Sequence, residues 1–147
     1  MAIPPFDESG NLPEGIWEAT IEEVKERYAY NFRRRWHLER LEKAIQLIKD
    51  AEGTTLFLDG SFITSKDRPD DYDALTCKAE VGEKLDGLIN KHPNTQKAEY
   101  GGEFYFAENI MFDALTGTQK TFLDFFQTDT RSSEEYIRKG IIRIILK

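Results

Sequence analysis

Two aspartates separated by one residue, Asp71 and Asp73, follow a glycine–serine pair, Gly60-Ser61, near the middle of the chain. In an extended strand successive side chains point to opposite faces, so both carboxylates would project the same way. Two like charges held that close repel each other unless a cation lies between them. Carboxylate oxygens suit hard cations, and Mg²⁺ commonly combines one or two carboxylates with substrate phosphates. The spacing therefore predicts a Mg²⁺ (or Mn²⁺) site on Asp71 and Asp73.

The Gly60-Ser61 pair predicts a turn that can bind phosphate. Glycine has no Cβ, so a phosphate can approach the backbone, while the serine hydroxyl and the following N–H groups can donate hydrogen bonds to it. A simpler interpretation stays open, because serine often caps a helix and Pro69-Asp70-Asp71 is typical of a turn at a strand edge.

The elements that must position these residues follow from hydrophobic periodicity and from turn and cap signals. A capping box, Thr20 to Glu23, predicts a helix that ends near Tyr28. The other predictions are an extended leader over 1–16, a helix from Arg33 to about Gly53, strands over 54–59, 72–77, 103–106 and 141–146, and a helix over 81–91 that breaks at Pro93. This order predicts an α/β (α+β) fold in which helices flank a small mixed sheet, built as a single domain over 1–147.

Composition limits the classes of function. The 147 residues include 20 Lys+Arg and 27 Asp+Glu, and the net charge of -7 argues against broad binding to nucleic acid. Cys77 is the single cysteine and His37 and His92 are the only histidines, so neither an internal disulfide nor a Cys/His zinc site can form. The start of the sequence does not resemble a signal peptide and no apolar run is long enough to cross a bilayer, so we expect a cytoplasmic protein.

Several other side chains have structural interpretations. Arg33-Arg34-Arg35 is expected to form a solvated helix face that pairs with Glu39. His37 and His92 are expected to be structural or exposed, since neither has a plausible ligand spacing. The aromatic segment Phe122, Phe125 and Phe126 fits either a packed core or a partner surface, and periodicity does not separate a short helix from an irregular segment there.

A strand, Gly-Ser, a spacer and then Asp-x-Asp resembles the signature of the nucleotidyltransferase superfamily to which DNA polymerase beta belongs. The matching residues are Gly60, Ser61, Asp71 and Asp73. In that superfamily a third carboxylate comes from a later strand, and Glu103, which heads Phe104-Tyr105-Phe106, is the residue to which the resemblance extends. The resemblance implies that Asp71, Asp73 and Glu103 are the catalytic, metal-binding carboxylates.

The chain also looks like an uncharacterised bacterial family of about this length that is regarded as nucleotidyltransferase-like. The segments that carry this likeness are Ile3-Pro4-Pro5-Phe6-Asp7, Gly10-Asn11-Leu12-Pro13, 60–66, Tyr100-Gly101-Gly102-Glu103, 122–127 and Lys139-Gly140-Ile141-Ile142.

In size the chain is similar to minimal antitoxin nucleotidyltransferases, which pair with a helical ribonuclease toxin and adenylylate it. That group usually has a small residue, an arginine and a glycine after Gly-Ser-x, where this chain has Ile63, Thr64 and Ser65. Lys66 or Arg68 would have to replace the arginine that neutralises a triphosphate.

The resemblance implies Mg²⁺-dependent transfer of a nucleoside monophosphate from a nucleoside triphosphate, ATP first, to an acceptor hydroxyl, with Gly60, Ser61, Lys66 and Arg68 holding the nucleotide. The acceptor would be a protein or a small molecule, an aminoglycoside-like cation among them, and RNA is the least favoured because of the acidic charge. The alternative is a binding module without catalysis, such as an antitoxin or regulator.

Overall fold

Five strands form the central sheet, and the order of these strands brings distant parts of the chain together. The computed structural model describes residues 3–129 and 137–146. The strands are β1 (Gly15–Ala19), β2 (Thr55–Asp59), β3 (Tyr72–Thr76), β4 (Gly102–Phe106), β5 (Ile110–Asp113), β6 (Thr118–Thr121), β7 (Thr128–Asp129), β8 (Ile137–Arg138) and β9 (Gly140–Ile145). The central sheet has the order β1-β9-β2-β3-β4, while β5-β6 and β7-β8 form small antiparallel pairs. Because β1-β9 and β3-β4 are parallel and the other pairs antiparallel, the sheet is mixed.

Helices flank this sheet, so the predicted α+β class with a small mixed sheet is confirmed. They are α1 (Ile21–Tyr28), α2 (Phe32–Asp50), α3 (Lys78–Val81), α4 (Asp86–Ile89), α5 (Pro93–Tyr100) and α6 (Phe122–Phe125), with short 3-10 turns at Ser61–Ile63 and Gly82–Leu85. The predicted capping box at the start of α1 is present, since Thr20 and Glu23 each accept a hydrogen bond from the other's backbone N–H. Among the described residues, none of these helices combines the length and the apolar character that a membrane crossing requires.

Three local predictions differ from the structure. The predicted leader, whose residues 1–2 lie outside the described range, runs into β1, which pairs in parallel with the distant β9. The predicted helix over 81–91 is divided at Gly82, whose positive φ of 54° ends α3. Pro93 starts α5 rather than breaking a helix, because proline lacks only an N–H that the first helical turn leaves unpaired, and His92 caps this turn by accepting from the Asn94 N–H.

The core lies where α2 and the sheet contribute apolar side chains to one cluster. The buried apolar residues of α2 recur at helical spacing, as predicted, and those of the sheet come from its central strands. They include Leu38, Leu41, Ala44 and Ile48 of α2, Leu56 and Leu58 of β2, Leu75 of β3 and Ile142 and Ile144 of β9. Every residue of β2 is buried, as expected of a strand covered on both faces.

Arg34 corrects the prediction of a solvated arginine face, because its side chain is completely buried. Its guanidinium group donates hydrogen bonds to the carbonyl oxygens of Phe62 at 2.5 Å and Thr64 at 2.7 Å, and to that of Lys66. Burial of a cation is costly unless hydrogen bonds offset its lost hydration, and the loop that follows β2 supplies three carbonyl acceptors to the two terminal nitrogens of Arg34. Arg34 therefore holds the Ser61–Lys66 loop, to which the predicted phosphate-binding residues belong, against the first turn of α2.

We expect Arg34→Met to lower the free energy of unfolding by about 3 kcal/mol, because one buried and two part-buried hydrogen bonds from a charged donor are lost. Urea denaturation followed by circular dichroism measures this difference. Arg35→Met is the matched control, since its side chain is the same and is exposed on the same helical turn. Equal stability of the two variants would contradict the role assigned to Arg34.

Candidate metal centre

The register of the sheet places one carboxylate on each of three neighbouring strands. Asp59 of β2 lies opposite Asp73 of β3 in the antiparallel pair, and Asp73 lies opposite Glu103 of β4 in the parallel pair. Residues paired in this way have side chains on the same face of the sheet, close enough to interact. Asp71 precedes β3 by one residue and lies beside this row.

Asp71, Asp73 and Glu103 converge in space. Each offers one carboxylate oxygen, and the three oxygens all lie within 4.8 Å of one another. All three side chains are half-buried, so they remain accessible from solvent. The structure thus brings together the three carboxylates that the sequence suggested, in an arrangement that can coordinate a hard cation.

The Gly60-Ser61 turn packs directly against this cluster. Gly60 has a φ of 91°, and a Cβ at this position would lie 3.0 Å from the Asp73 nitrogen and 3.4 Å from Asp73 Oδ2. Ser61 begins the short 3-10 turn, and its hydroxyl donates to the carbonyl oxygen of Asp71 at 3.3 Å. Glycine is therefore required where β2 ends, because the turn approaches the backbone of β3 too closely for a side chain.

A cleft of about 480 Å³ opens beside the turn, and Asp71 and Asp73 of the cluster line it. Gly60, Ser61 and Lys66 line it, and the Lys66 ammonium pairs with Asp70 at 3.1 Å on its rim. Arg68 lies instead in a separate groove with Trp36, near the start of α2. Of the two cations suggested for neutralising a triphosphate, the structure thus brings only Lys66 to the cleft.

One wall of the cleft comes from segments far away in the sequence. It is lined by Phe125 of α6, Phe126 directly after this helix, Asp129 of β7 and Asn11 of the leader. The Asn11 side chain donates to Asp129 Oδ2 at 2.9 Å, so this wall is fixed to the leader by a buried hydrogen bond. The aromatic segment is half-buried, and Phe122 and Phe126 pack against the core. The packed interpretation is therefore confirmed, while a partner surface stays a prediction.

Burial and crowding raise the pKa of two of the carboxyl groups. The pKa of Asp73 rises to about 8, first because of burial and then because of the charges on Asp59, Asp71 and Glu103. Burial also raises the pKa of Asp59, which is completely buried. The Lys139 ammonium opposes both shifts, and its Nζ atom lies 3.0 Å from Asp59 Oδ1. Proton uptake by Asp73 is thus one way in which the cluster relieves its own repulsion.

Lys97 of α5 offsets the repulsion between the carboxylates of Asp71 and Glu103. Its Nζ atom lies 3.3 Å from Asp71 Oδ2 and 3.1 Å from Glu103 Oε2, and these two hydrogen bonds raise the pKa of Lys97. The other oxygen of Glu103 accepts a hydrogen bond from the Tyr105 hydroxyl at 2.5 Å. Both oxygens of Glu103 are therefore oriented by neighbouring donors.

His37 fixes the two segments that lead into Asp71 and Glu103. The ring is buried, with Nε2 3.0 Å from the carbonyl oxygen of Pro69 and Nδ1 2.8 Å from that of Gly101. Burial lowers the pKa of His37. Of the two interpretations given for this histidine, the structural one is correct. Its two contacts, Pro69 and Gly101, each lie two residues before a carboxylate of the cluster, so His37 is a positioning residue for them.

The site predicted from the sequence included neither Lys97 nor Lys139, and it did not include Asp59. Neither lysine has a local signal, because each reaches the site from an element that the fold brings there. Asp59 had one, since an antiparallel pairing of the predicted strands 54–59 and 72–77 aligns it with Asp73.

Together the fold and the cluster define a small α+β protein with a candidate carboxylate metal centre at one edge of a mixed sheet. The chain belongs to a family of unknown function, DUF6932, whose sequence profile matches residues 4–145. No significant match was found among curated proteins, and none among solved structures.

We expect Asp73→Asn to remove a pH dependence of stability. Folding raises the pKa of Asp73 from 3.8 to about 8. Between these two pH values the folded protein keeps a proton that the unfolded chain releases. The free energy of unfolding therefore falls as the pH rises from about 4 to about 8. Above about pH 8 the neutral amide should be more stable than the carboxylate by on the order of 3 kcal/mol. Urea denaturation across the interval, in the presence of a chelator, measures this.

Asp70→Asn is the control. This exposed carboxyl group lies in the loop that precedes β3, and the hydrogen bond and charge of Lys66 lower its pKa rather than raise it. A wild-type pH profile in the Asp73 variant would show that the carboxylates do not repel one another as the geometry requires.

We expect Gly60→Ala to destabilise the protein by about 1 to 3 kcal/mol, since it adds both an unfavourable φ and a contact with the Asp73 backbone. Gly117→Ala separates the two causes, because Gly117 also has a positive φ, 71°, but a Cβ there meets nothing within 4 Å. Thermal denaturation should show the larger loss for Gly60. If the two losses are equal, the close approach of the turn to β3 has no energetic consequence.

Proposed function

We propose that this protein is a minimal nucleotidyltransferase that uses Mg²⁺ (or Mn²⁺) to transfer a nucleoside monophosphate from a nucleoside triphosphate, ATP in the first instance, to an acceptor hydroxyl. The observation that carries the proposal is the convergence of Asp71, Asp73 and Glu103 within 4.8 Å beside the Gly60-Ser61 turn. A turn able to approach phosphate and a carboxylate cluster able to hold a cation are the two components that such a transfer needs in one place.

The residues of the cleft fit a metal–nucleotide complex. The volume of about 480 Å³ is in the range of small-ligand sites, and the Lys66 and Lys139 side chains line it as cations for the phosphates. The raised pKa of Asp73 and the ion pairs of Lys97 both indicate that the cluster carries more negative charge than it can hold unaided. A divalent cation held by Asp71, Asp73 and Glu103 would supply charge neutralisation for the attacking and leaving oxygens.

In the proposed reaction the acceptor oxygen forms a bond to the α-phosphorus while the bond from that phosphorus to the pyrophosphate oxygen breaks, so pyrophosphate leaves. The acceptor hydroxyl loses its proton, and Glu103, one oxygen of which is oriented by the Tyr105 hydroxyl, is the carboxylate that we assign to accept it. Ser61 and the backbone of the turn orient the phosphates, while Lys66 and Lys139 neutralise them.

The acceptor proposed here is a protein, such as a toxin-like partner, or a small molecule, and the location is the cytoplasm. The net charge of -7 supports an acceptor other than nucleic acid. Half-buried Phe125 and Phe126 give the cleft an apolar wall against which a base or an acceptor can pack.

Calorimetry with ATP and Mg²⁺ tests the site. The double substitution Asp71→Asn and Asp73→Asn should weaken metal-dependent ATP binding by at least about tenfold. The double substitution Glu22→Gln and Glu26→Gln removes the same charge from exposed positions of α1 and leaves the cluster and Lys66 intact, so it should bind as the wild type does. Unchanged affinity in the first variant would rule out the proposed site.

A specific observation favours the second candidate, a nucleotidyltransferase-like binding module without catalysis, such as an antitoxin or regulator. The Lys97 ammonium bridges two of the three carboxylates, and Ile63, Thr64 and Ser65 leave no arginine directly after Gly60-Ser61-Phe62. Incubation with α-labelled ATP and Mg²⁺ in a lysate of the host separates the two candidates, because label transferred to an acceptor requires the enzyme and its absence favours the module.

A further inference from the structure

We propose that Lys97 is a tethered counter-ion that a divalent cation must displace from the carboxylate cluster. This inference rests on the proposed function, since it concerns how the same three carboxylates receive their metal. It assigns to Lys97 the role of a competing cation, which neither the sequence signature nor the family assigns.

The contacts of Lys97 are those of a cation in a carboxylate site. Its Nζ atom lies within 3.3 Å of Asp71 and 3.1 Å of Glu103, so one ammonium group spans two residues of the cluster. These two residues come from different segments, one before β3 and the other on β4, and Lys97 comes from α5 between them in the sequence. The ammonium thus joins the two sides of the cluster, which is the geometric task of a metal ion.

The site is built so that this ammonium can leave. The Lys97 side chain is 44% exposed, whereas those of Asp71 and Glu103 are 23% and 18% exposed. A long, flexible side chain that extends from an exposed helix face can swing into solvent at little cost, because its charge is then hydrated by water. The carboxylates have less freedom, since Tyr105 also holds Glu103 and β3 fixes Asp73.

Competition follows from the charges. A divalent cation brought to Asp71 and Glu103 meets an ammonium group already bonded to the same carboxylates, and two cations at this separation repel each other. Metal binding therefore includes the loss of two ion pairs, each of which is partly exposed and individually weak. Removal of the ammonium should strengthen metal binding, the opposite of the result for a residue that only supports the fold.

The first test is calorimetry of Mg²⁺ and Mn²⁺ binding without nucleotide. Lys97→Met keeps the length and helix propensity of the side chain and removes its charge, and should bind the metal roughly three- to tenfold more tightly than the wild type. Lys97→Gln also removes the charge, and it should give the same change in metal affinity if the charge and not the methionine side chain is the cause. Lys91→Met is the matched control, because Lys91 forms a similar partly exposed ion pair, with Glu99 at 2.9 Å, away from the cluster.

The second test observes the displacement itself. Acetylation of the full-length protein by an amine-specific reagent, read by mass spectrometry, should modify Lys97 slowly in the absence of metal, since both ion pairs protect it, and severalfold faster with Mg²⁺. Lys91 should react at one rate in both conditions.

Each outcome is decisive. Tighter binding in both Lys97 variants, with faster acetylation of Lys97 when metal is added, supports the inference. If the wild type and the variants bind metal equally, Lys97 does not compete, and the inference is wrong while the proposed metal site stands. Weaker binding in the variants would make Lys97 a supporting residue. If neither the wild type nor the variants bind metal, both the proposed site and the inference fail.

Discussion

The constraint on which the site depends is the crowding of carboxylates that the sheet register enforces. Asp59, Asp73 and Glu103 occupy aligned positions on three adjacent strands. The backbone hydrogen bonds of the sheet therefore hold their carboxyl groups close to one another. Such a row is unfavourable unless protons or cations offset it. The structure uses both, with a raised pKa for Asp73 and with a lysine at either end of the row, Lys139 at Asp59 and Lys97 at Glu103.

Two buried basic side chains of α2 hold the loops around this row. Arg34 binds three carbonyl groups of the loop that follows β2, and His37 lies between the carbonyl groups of Pro69 and Gly101. One helix therefore sets the position of the turn and of the segments before Asp71 and Glu103. This coupling explains why the buried face of a helix that packs on the core also carries an arginine and a histidine that are completely buried. Arg34 donates to backbone acceptors of an irregular segment, and His37, whose pKa burial lowers, can as a neutral ring donate to one of the two carbonyl groups that it contacts.

Sequence patterns within short segments predicted the helices, strands and turns that depend on neighbouring residues. The period of α2, the apolar run of β2 and the Gly-Ser turn each depend on neighbouring residues, and the fold class followed from their order. The placement of Glu103 could be suggested only by resemblance, because its proximity to Asp73 is a consequence of parallel pairing between β3 and β4. The burial of Arg34 could not be anticipated from a run of three arginines, since the acceptors that stabilise it lie about 30 residues later in the sequence. The partner of β1, likewise, is at the other end of the described chain.

The charge balance of the site gives the acidic composition a specific meaning. Four carboxyl groups, Asp59, Asp71, Asp73 and Glu103, face two ammonium groups, those of Lys97 and Lys139. With all four ionised and both lysines in place, the excess is two negative charges, and the folded protein can reduce this excess by keeping a proton on Asp73. A cation that entered would release that proton and free Lys97 from the carboxylates. Metal binding, proton release and lysine displacement are then aspects of one event, because all three act on the same excess of negative charge.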